Sequence, residues 1–353
     1  MKKLVSLLMA LCMMVSLAAC GGQEQTTDEG GAESDNGGYK IAFSNSYVGN
    51  AWRTAAVNIF DAYTADLVEQ GVLSKAYSSS AGDDVQAQIN EIRNMMSEGY
   101  DAIVCIAASA TGLQSVLEEA AERGIVVVCF DTTVDSDPVY NVNTDQFEYG
   151  RLLAQSLADR MGGEGNILWI KGIEGNRVTM DRAEGMQSVL DNYPGIKVLG
   201  DGYGKWDDST TASVMSNLMS AYASQGIDGI LSEGGGGHAI VQSLVENGID
   251  PATVPISEGE MFNSFMKDWV EMDLDAFCTA QPPYLAAAAV DVALKVLNGE
   301  EVEPMTYVDL PTCSSKEEAE EKWYQPDQEG GFVCDWTDNN NTWNLTIEDV
   351  APN

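Results

Sequence analysis

The chain has 353 residues, and its hydrophobic fraction of 44% is that of an ordinary globular protein. Its charge is unusual, because 18 lysines and arginines stand against 55 aspartates and glutamates, which gives a net charge of −37. A surface this negative repels phosphate backbones and anionic lipid headgroups, so we expect no nucleic-acid partner and no polyanionic substrate. The length is sufficient for two lobes of ordinary size.

The first residues have the pattern of a secretory signal. Lys2 and Lys3 precede an apolar run that is too short to span a bilayer as a stable anchor. Small residues then precede Cys20, an arrangement that resembles the bacterial lipobox, in which the cysteine is acylated and the leader is removed. We predict a signal peptide over 1–19 and lipidation of Cys20; an ordinary export signal is the alternative. Residues 20–38 are polar, acidic and rich in glycine, which predicts a flexible tether.

The cysteines and the single histidine give little material for metal or redox chemistry. Three cysteines lie within apolar, strand-like runs and are predicted to be small buried hydrophobes: Cys105, Cys129 and Cys278. Cys313 and Cys334 lie in a polar C-terminal tail and are a candidate disulfide in an oxidising compartment. His238 is the only histidine, so neither a histidine metal cluster nor a Ser-His-Asp triad is expected. We predict no metal site, no cofactor and no catalytic residues.

The middle of the chain alternates short apolar runs with stretches of helical spacing. The helical stretch over 83–98 carries apolar residues on one face and ends before Gly99. An internal echo follows, because this helix and the strand after it resemble the pattern from Asp207 to Leu231. This alternation predicts an α/β fold of two similar lobes, each a parallel sheet covered by helices on both faces. Residues 141–145 are the natural joint between them.

Polar and aromatic residues follow the predicted strands at the point where each strand ends. In open α/β sheets ligands bind beyond the carboxyl ends of the strands, so these residues are the candidates for a site in the cleft between the lobes. They are Asn50, Trp52, Arg53, Asp131, Arg182, Trp206, Glu233, Glu258, Glu260 and Gln281. Tryptophan faces and planar polar groups suit a polyhydroxylated ring. The tetraglycine run 234–237 has no lysine after it, so it predicts a tight turn rather than a phosphate site.

At these residues the chain resembles the sugar-binding lipoproteins of ABC importers that have the type I periplasmic-binding fold, such as ribose- and galactofuranose-binding proteins. The resemblance covers about 40–310 and is carried by six short motifs. They are Ile41-Ala42-Phe43-Ser44 leading to Trp52-Arg53, Gly99-Tyr100-Asp101-Ala102-Ile103, Phe130-Asp131, Asp145 with Gly150, Asp181 to Met186, and Ala280-Gln281-Pro282. It implies a sugar ring held between Trp52 and Trp206, with hydroxyls bound by Asn50, Arg53, Asp131, Arg182 and Gln281. The chain departs from the family at Glu233-Gly234 and at Glu258-Gly259-Glu260.

We predict an N-terminal lobe over 39–141 with about 283–306, and a C-terminal lobe over 142–282 with about 307–353, joined by a hinge. The resemblance implies a lipid-anchored, extracytoplasmic and monomeric protein that captures a small neutral sugar and delivers it to membrane permease subunits.

Three alternatives remain open from the sequence. In the first, the protein presents its ligand to a sensor kinase or chemoreceptor. In the second, it binds a different small polar ligand, such as a polyol or a furanone-type signal. A remote third alternative is an anchored glycoside hydrolase that uses a carboxylate pair such as Glu258 and Glu260.

Overall fold

A computed structural model describes residues 37–337 and 342–351 of the chain. The predicted signal peptide, Cys20 and most of the predicted tether lie outside the described residues, so the lipid anchor stays a prediction. Two six-stranded sheets form the centres of two lobes. Within the described ranges, no helix has the length and apolar character needed to cross a membrane.

The sheet of the N-terminal lobe is parallel throughout. In spatial order its strands are β11 (Met305–Tyr307), β5 (Val139–Asn143), β4 (Val126–Phe130), β3 (Ala102–Ile106), β1 (Tyr39–Asn45) and β2 (Leu73–Ser80). Its helices are α1 (Ala51–Glu69), α2 (Val85–Glu98), α3 (Ala110–Glu122) and α9 (Leu285–Leu297).

Burial in this lobe follows from helices on both faces of the sheet. Every residue of β3 is buried, as expected for a central parallel strand covered on both sides. Ile103 packs in the layer with α2 and α3, whereas Val104 belongs to the opposite layer with α1 and α9. The helices begin and end where the sequence directs: the Asp84 side chain caps α2, and Gly99 ends it in the left-handed conformation, with φ of 71°.

The sheet of the C-terminal lobe repeats this order. Its strands are β12 (Thr312–Cys313), β10 (Ala276–Thr279), β9 (Ile256–Gly259), β8 (Gly229–Ser232), β6 (Glu164–Lys171) and β7 (Gly195–Tyr203), and only β12 pairs antiparallel. One face packs against α4 (Gln146–Arg160) and α5 (Arg177–Leu190). The other packs against α6 (Asp208–Tyr222), α7 (Gly237–Glu246) and α8 (Asn263–Met272). The expected fold class, two similar α/β lobes, is confirmed.

The chain crosses from one lobe to the other after β5, after β10 and after β11. The N-terminal lobe therefore includes Asn143 and Tyr307, slightly beyond the boundaries expected at 141 and 306. The predicted hinge would be formed by these three connections, and it stays a prediction.

The C-terminal tail differs from the expectation that all of 307–353 belongs to the C-terminal lobe. Its first part does pack there: α10 (Lys316–Glu318), the π-helical turn Ala319–Trp323 and the 3₁₀ turn Cys334–Thr337 lie against or near α8. The helix α11 (Ile347–Val350), however, packs against α1 of the N-terminal lobe. Asn58 donates to the carbonyls of Val350 and Ala351, and Trp343 Nε1 donates to Asp291 Oδ2 at 2.8 Å.

The expected disulfide between Cys313 and Cys334 is not formed. Both are free, buried thiols. Cys313 lies in β12 opposite Cys278, whereas the Sγ of Cys334 lies 3.5 Å from Oδ1 of Asn263. Packing and backbone pairing, rather than a covalent link, therefore hold the first part of the tail. Cys105, Cys129 and Cys278 are buried in strands, as predicted.

Candidate functional site

A cavity of about 300 Å³ lies between the two lobes, at the carboxyl ends of the strands. The N-terminal lobe contributes Ser46, Tyr47, Asn50, Trp52, Arg53, Asp83, Ala107, Ala108, Asp131 and Thr132. The C-terminal lobe and the hinge contribute Ile173, Asn176, Val178, Arg182, Trp206, Glu260, Phe262 and Gln281. Eight of the ten predicted site residues therefore line one cavity, and their contact with a ligand stays a prediction.

Arg53 organises the N-terminal wall. It lies in the first turn of α1, where its backbone N–H donates to Oδ1 of Asn50, the residue that caps the helix. Its Nη2 lies 2.8 Å from Oδ2 of Asp131, and Nη1 donates to Asn45 and Ser46. Asp131 follows β4 with φ of 60°, a left-handed backbone conformation that few non-glycine residues adopt. The turn directs its carboxylate to Arg53 and closes a charge-balanced pair.

Trp52 lies between the core of the lobe and the cavity. Its side chain is 9% exposed and packs with the apolar residues between α1 and the sheet. Its indole Nε1 donates to the carbonyl of Gln281 at 2.6 Å. This hydrogen bond joins the N-terminal lobe to the connection between β10 and α9. The sequence predicts a ring wall at this position; the structure shows that the same side chain also stabilises the lobe.

Arg182 is the centre of the C-terminal wall. It lies on α5, is 2% exposed, and its guanidinium lies 3.6 Å above the ring of Tyr149. It donates to Oε1 of Gln146 at 2.8 Å, to the carbonyl of Glu233 at 2.8 Å, and to Oε1 of Glu260 at 3.2 Å. Tyr149 Oη donates to the same Glu260 oxygen at 3.2 Å. Burial raises the pKa of Glu260, although the charge of Arg182 opposes the rise.

Gln281 connects the two walls. Its Nε2 donates to Asp131 Oδ1 of the N-terminal lobe at 2.6 Å. Its Oε1 accepts from Gln146 Nε2 and, at 3.4 Å, from Arg182 Nη2 of the C-terminal lobe. A continuous set of hydrogen bonds therefore runs from Arg53 through Gln281 to Arg182. Gln146 is not among the predicted site residues, because a glutamine in the first turn of a helix carries no distinguishing pattern in the sequence.

Trp206 stands on a turn with unusual backbone geometry. Lys205 and Trp206 have φ of 60° and 55°. A Cβ atom on Gly172 would lie 2.5 Å from the indole ring of Trp206, and one on Gly235 would lie 2.5 Å from its backbone. These two glycines allow neighbouring loops to approach the tryptophan closely. The tetraglycine run is thus a tight turn that supports Trp206, in agreement with the prediction of a turn.

Glu233 and Glu258 do not line the cavity, contrary to the expectation for the strand ends. Both are essentially unexposed, and each receives a hydrogen bond from a loop backbone: Gly172 N to Glu233 at 3.0 Å, and Gly236 N to Glu258 at 3.1 Å. Burial raises the pKa of Glu233 to about 7 and that of Glu258 to about 8. Alternation along a strand would place Glu258 and Glu260 on the same face. Glu260, however, lies just beyond the end of β9 and has φ of 69°, and this left-handed turn breaks the alternation. Without Glu258 at the cavity, the pair proposed for a glycoside hydrolase is not assembled.

Several cavity residues were missed by the sequence analysis, notably Tyr47, Asp83, Thr132, Asn176 and Phe262. They lie in loops or at helix ends, where no periodic pattern marks them. In the described part of the chain, no group of three or more His, Cys, Asp or Glu side chains is arranged to hold a metal ion.

The Periplasmic binding protein domain family matches residues 41–301, which is most of the chain and both lobes. The chain belongs to the periplasmic binding protein family. This is a family of solute-binding proteins and not of enzymes. The fold described above is its type I fold, and relatives of this periplasmic binding protein act outside the cytoplasm.

Two relatives and one solved structure illustrate the similarity. The xylitol-binding protein of Mycolicibacterium smegmatis is 31% identical over 172 residues, covering 48% of this chain and 49% of that protein. The galactofuranose-binding protein of Escherichia coli is 26% identical over 186 residues, covering 51% and 57%. The matches thus span about half the length of these relatives. The binding protein of the arabinose ABC transporter from Shewanella sp. ANA-3, solved with arabinofuranose, has a TM-score of 0.70 and 25% identity, covering 80% of this chain and 93% of that chain.

Proposed function

We propose that this periplasmic binding protein captures a single-ring neutral sugar, or a polyol of similar size, between its two lobes and delivers it to an ABC importer. The observation that carries the proposal is the cavity itself, in which two arginines are each already paired with a carboxylate beside aromatic walls. The xylitol-binding and galactofuranose-binding relatives, and the related structure with bound arabinofuranose, support the same ligand class.

The charge balance of the cavity favours a neutral ligand. Arg53 pairs with Asp131 and Arg182 pairs with Glu260, while Asp83 adds a further carboxylate to the lining. An acidic sugar would bring a second negative charge to arginines whose charge is already compensated. A hydroxyl group, by contrast, donates to a carboxylate and accepts from a guanidinium without disturbing either pair.

The shape of the cavity favours a small ring. Trp52 and Trp206 supply apolar faces for the C–H surface of a sugar, and the planar groups of Arg53, Arg182 and Gln281 suit neighbouring hydroxyls. A cavity of about 300 Å³ accommodates one ring rather than a chain of sugars.

Anchoring and delivery complete the proposal. Cys20 would carry the lipid, so that the protein is held at the outer face of the membrane as a monomer near its permease. Closure of the lobes about the hinge then presents the loaded form, the motion known for periplasmic binding proteins. Replacement of Cys20 by alanine should abolish incorporation of labelled fatty acid and release the protein from the membrane fraction. Continued labelling of that variant would disprove the anchor without affecting the binding proposal.

A ligand screen tests the binding function directly. The thermal unfolding of the purified protein is measured with ribose, xylose, arabinose, galactose, fructose, xylitol and myo-inositol, and with galacturonate as an acidic control. A ligand at a hundred times its Kd should stabilise the protein by about 2.7 kcal/mol, because it binds only the folded state. Stabilisation by a neutral member and none by galacturonate is expected. Stabilisation by galacturonate alone would refute the neutral-sugar proposal.

A further inference from the structure

The cavity wall formed by residues 260–264, here called the wall segment, is held by the C-terminal tail. The wall segment contributes Glu260 and Phe262 to the cavity. It is bound by residues 325–334, here called the brace. The brace lies beyond the region 41–301 that the periplasmic binding protein family matches, so the wall segment has a support that the family domain does not supply.

The brace makes a short antiparallel pairing with the wall segment. Phe262 and Val333 form the bridge, flanked by two backbone hydrogen bonds of 2.9 Å, from Cys334 N to the Met261 carbonyl and from Asn263 N to the Phe332 carbonyl. A third backbone bond, also 2.9 Å, joins Ser264 N to the carbonyl of Gly330.

Asn263 is the main side-chain contact. It is 3% exposed, and its Nδ2 donates to the carbonyls of Gln325 at 2.8 Å and Gln328 at 2.9 Å. Its Oδ1 accepts from the backbone N–H of Gln325 at 2.9 Å. The buried side-chain amide of Asn263 therefore uses both of its N–H donors and its oxygen in hydrogen bonds to the brace.

These contacts explain why a phenylalanine can stand at the start of α8. Phe262 occupies the N-cap position, where serine, threonine or aspartate normally binds the free N–H groups of the first turn, and it makes no such bond. Carbonyls of the brace bind the N–H groups of Asn263 and Ser264 instead. The capping function is therefore supplied from outside the helix, and the side chain of residue 262 is free to face the cavity.

We infer that Phe262 is a ligand-contacting residue that limits the cavity to one sugar ring, and that the C-terminal brace positions it through Asn263. The inference rests on the proposed sugar-binding function and adds the residue and the segment that set the size of the ligand. An aromatic face at this wall packs on the C–H surface of a bound ring and occupies the space that a second ring would need.

Binding measurements on three variants test the inference. Isothermal titration compares the wild type with Phe262→Ala, Asn263→Ala and Asp327→Asn, using the best neutral monosaccharide of the screen and a disaccharide that contains it. We expect Phe262→Ala to weaken monosaccharide binding by about tenfold or more. It should also reduce the ratio of the monosaccharide affinity to the disaccharide affinity. Asn263→Ala should also lower the monosaccharide affinity and this affinity ratio, each by a smaller factor than Phe262→Ala. Asp327→Asn alters an exposed side chain of the brace and should bind like the wild type.

Hydrogen exchange without any ligand separates the two claims. In Asn263→Ala the backbone amides of residues 263, 264 and 334 should exchange faster than in the wild type, while exchange in β8 is unchanged. If that variant does not fold, the isosteric Asn263→Asp replaces it. Unchanged exchange would overturn the role of the brace. Wild-type affinity and selectivity in Phe262→Ala would overturn the role of Phe262. If no sugar binds the wild type, the proposed function and the role of Phe262 both fail, whereas the exchange result still decides the brace.

Discussion

Arg182 has a structural function in the C-terminal wall and is also a proposed ligand-binding residue. It is fully surrounded, lies on the ring of Tyr149, and neutralises Glu260, whose own pKa is raised by burial. Arg182→Lys keeps the positive charge but loses the planar, forked geometry that reaches Gln146, Glu260 and the carbonyl of Glu233 together. We expect this variant to fold and to bind the identified sugar about ten to a hundred times more weakly, by isothermal titration.

A control for this prediction lies on the same helix. Arg177 is exposed on α5 and pairs with Asp181 one turn away, so Arg177→Lys should leave both affinity and unfolding unchanged. Equal affinity of Arg182→Lys and the wild type would show that the forked geometry does not contribute to binding.

Glu258 is expected to make stability depend on pH. Burial raises its pKa from 4.5 to about 8, so between these values the folded protein keeps a proton that the unfolded chain releases. The free energy of unfolding contributed by this group is therefore fully present below about pH 4.5 and is lost as the pH rises towards 8. Glu258→Gln keeps an acceptor for Gly236 N without the ionisation. We expect it to lie within about 1 kcal/mol of the wild type at pH 5 and to exceed it by about 4 kcal/mol at pH 8.5.

Denaturant titrations at several pH values measure this difference. Glu246→Gln, an exposed substitution on α7, provides the comparison, and its stability should follow the wild type at every pH. A variant at position 258 that loses stability with pH as steeply as the wild type would contradict the assignment. Glu233, whose pKa is raised to about 7 by burial, contributes in the same direction in both proteins.

At the scale of elements, the sequence predicts strands and helices well and fails where contacts are distant along the chain. Fully apolar runs such as β3 are typical of buried parallel strands, and an aspartate before α2 with a glycine after it marks both ends of the helix. Because parallel strands place their carboxyl ends together, eight of the ten residues predicted from strand ends do line the cavity. Two features carry no local signal in the sequence. The side chain of Glu258 points away from the cavity, and Phe262 reaches the cavity because the brace holds its segment.

The return of the tail to the N-terminal lobe is the clearest feature that the sequence did not predict, and it leads to a test. The ring of Trp343 lies 5.1 Å from that of Tyr284, and its Nε1 bonds Asp291, which also accepts from Tyr63. Trp343→Ala removes this buried contact and should destabilise the protein by about 3 kcal/mol in chemical denaturation. The exposed substitution Glu348→Gln on α11 serves as its control. Unchanged stability of Trp343→Ala would show that the contact between the tail and the N-terminal lobe does not stabilise the protein.

At the scale of the whole molecule, the charge distribution acts on closure as well as on solubility. Each lobe carries an excess of roughly a dozen acidic residues, and the tail adds more. In the proposed mechanism, closing the cleft brings two negative lobes together, so part of the binding free energy is used to overcome their repulsion. Salt at 0.1 M screens the interaction between exposed charges that lie more than about 10 Å apart.

Salt should therefore strengthen the binding of a neutral ligand. We expect the affinity for the identified sugar to rise by about two- to threefold between 10 and 300 mM NaCl, together with the melting temperature of the free protein. Titration calorimetry at the two salt concentrations measures the first effect, and a thermal scan measures the second. An isosmotic amount of sucrose, or of another non-ligand sugar if sucrose binds, controls for solvent effects. Affinity that falls with salt would be the behaviour of an anionic ligand attracted to Arg53 and Arg182, and it would contradict the neutral site on which closure of this acidic receptor depends.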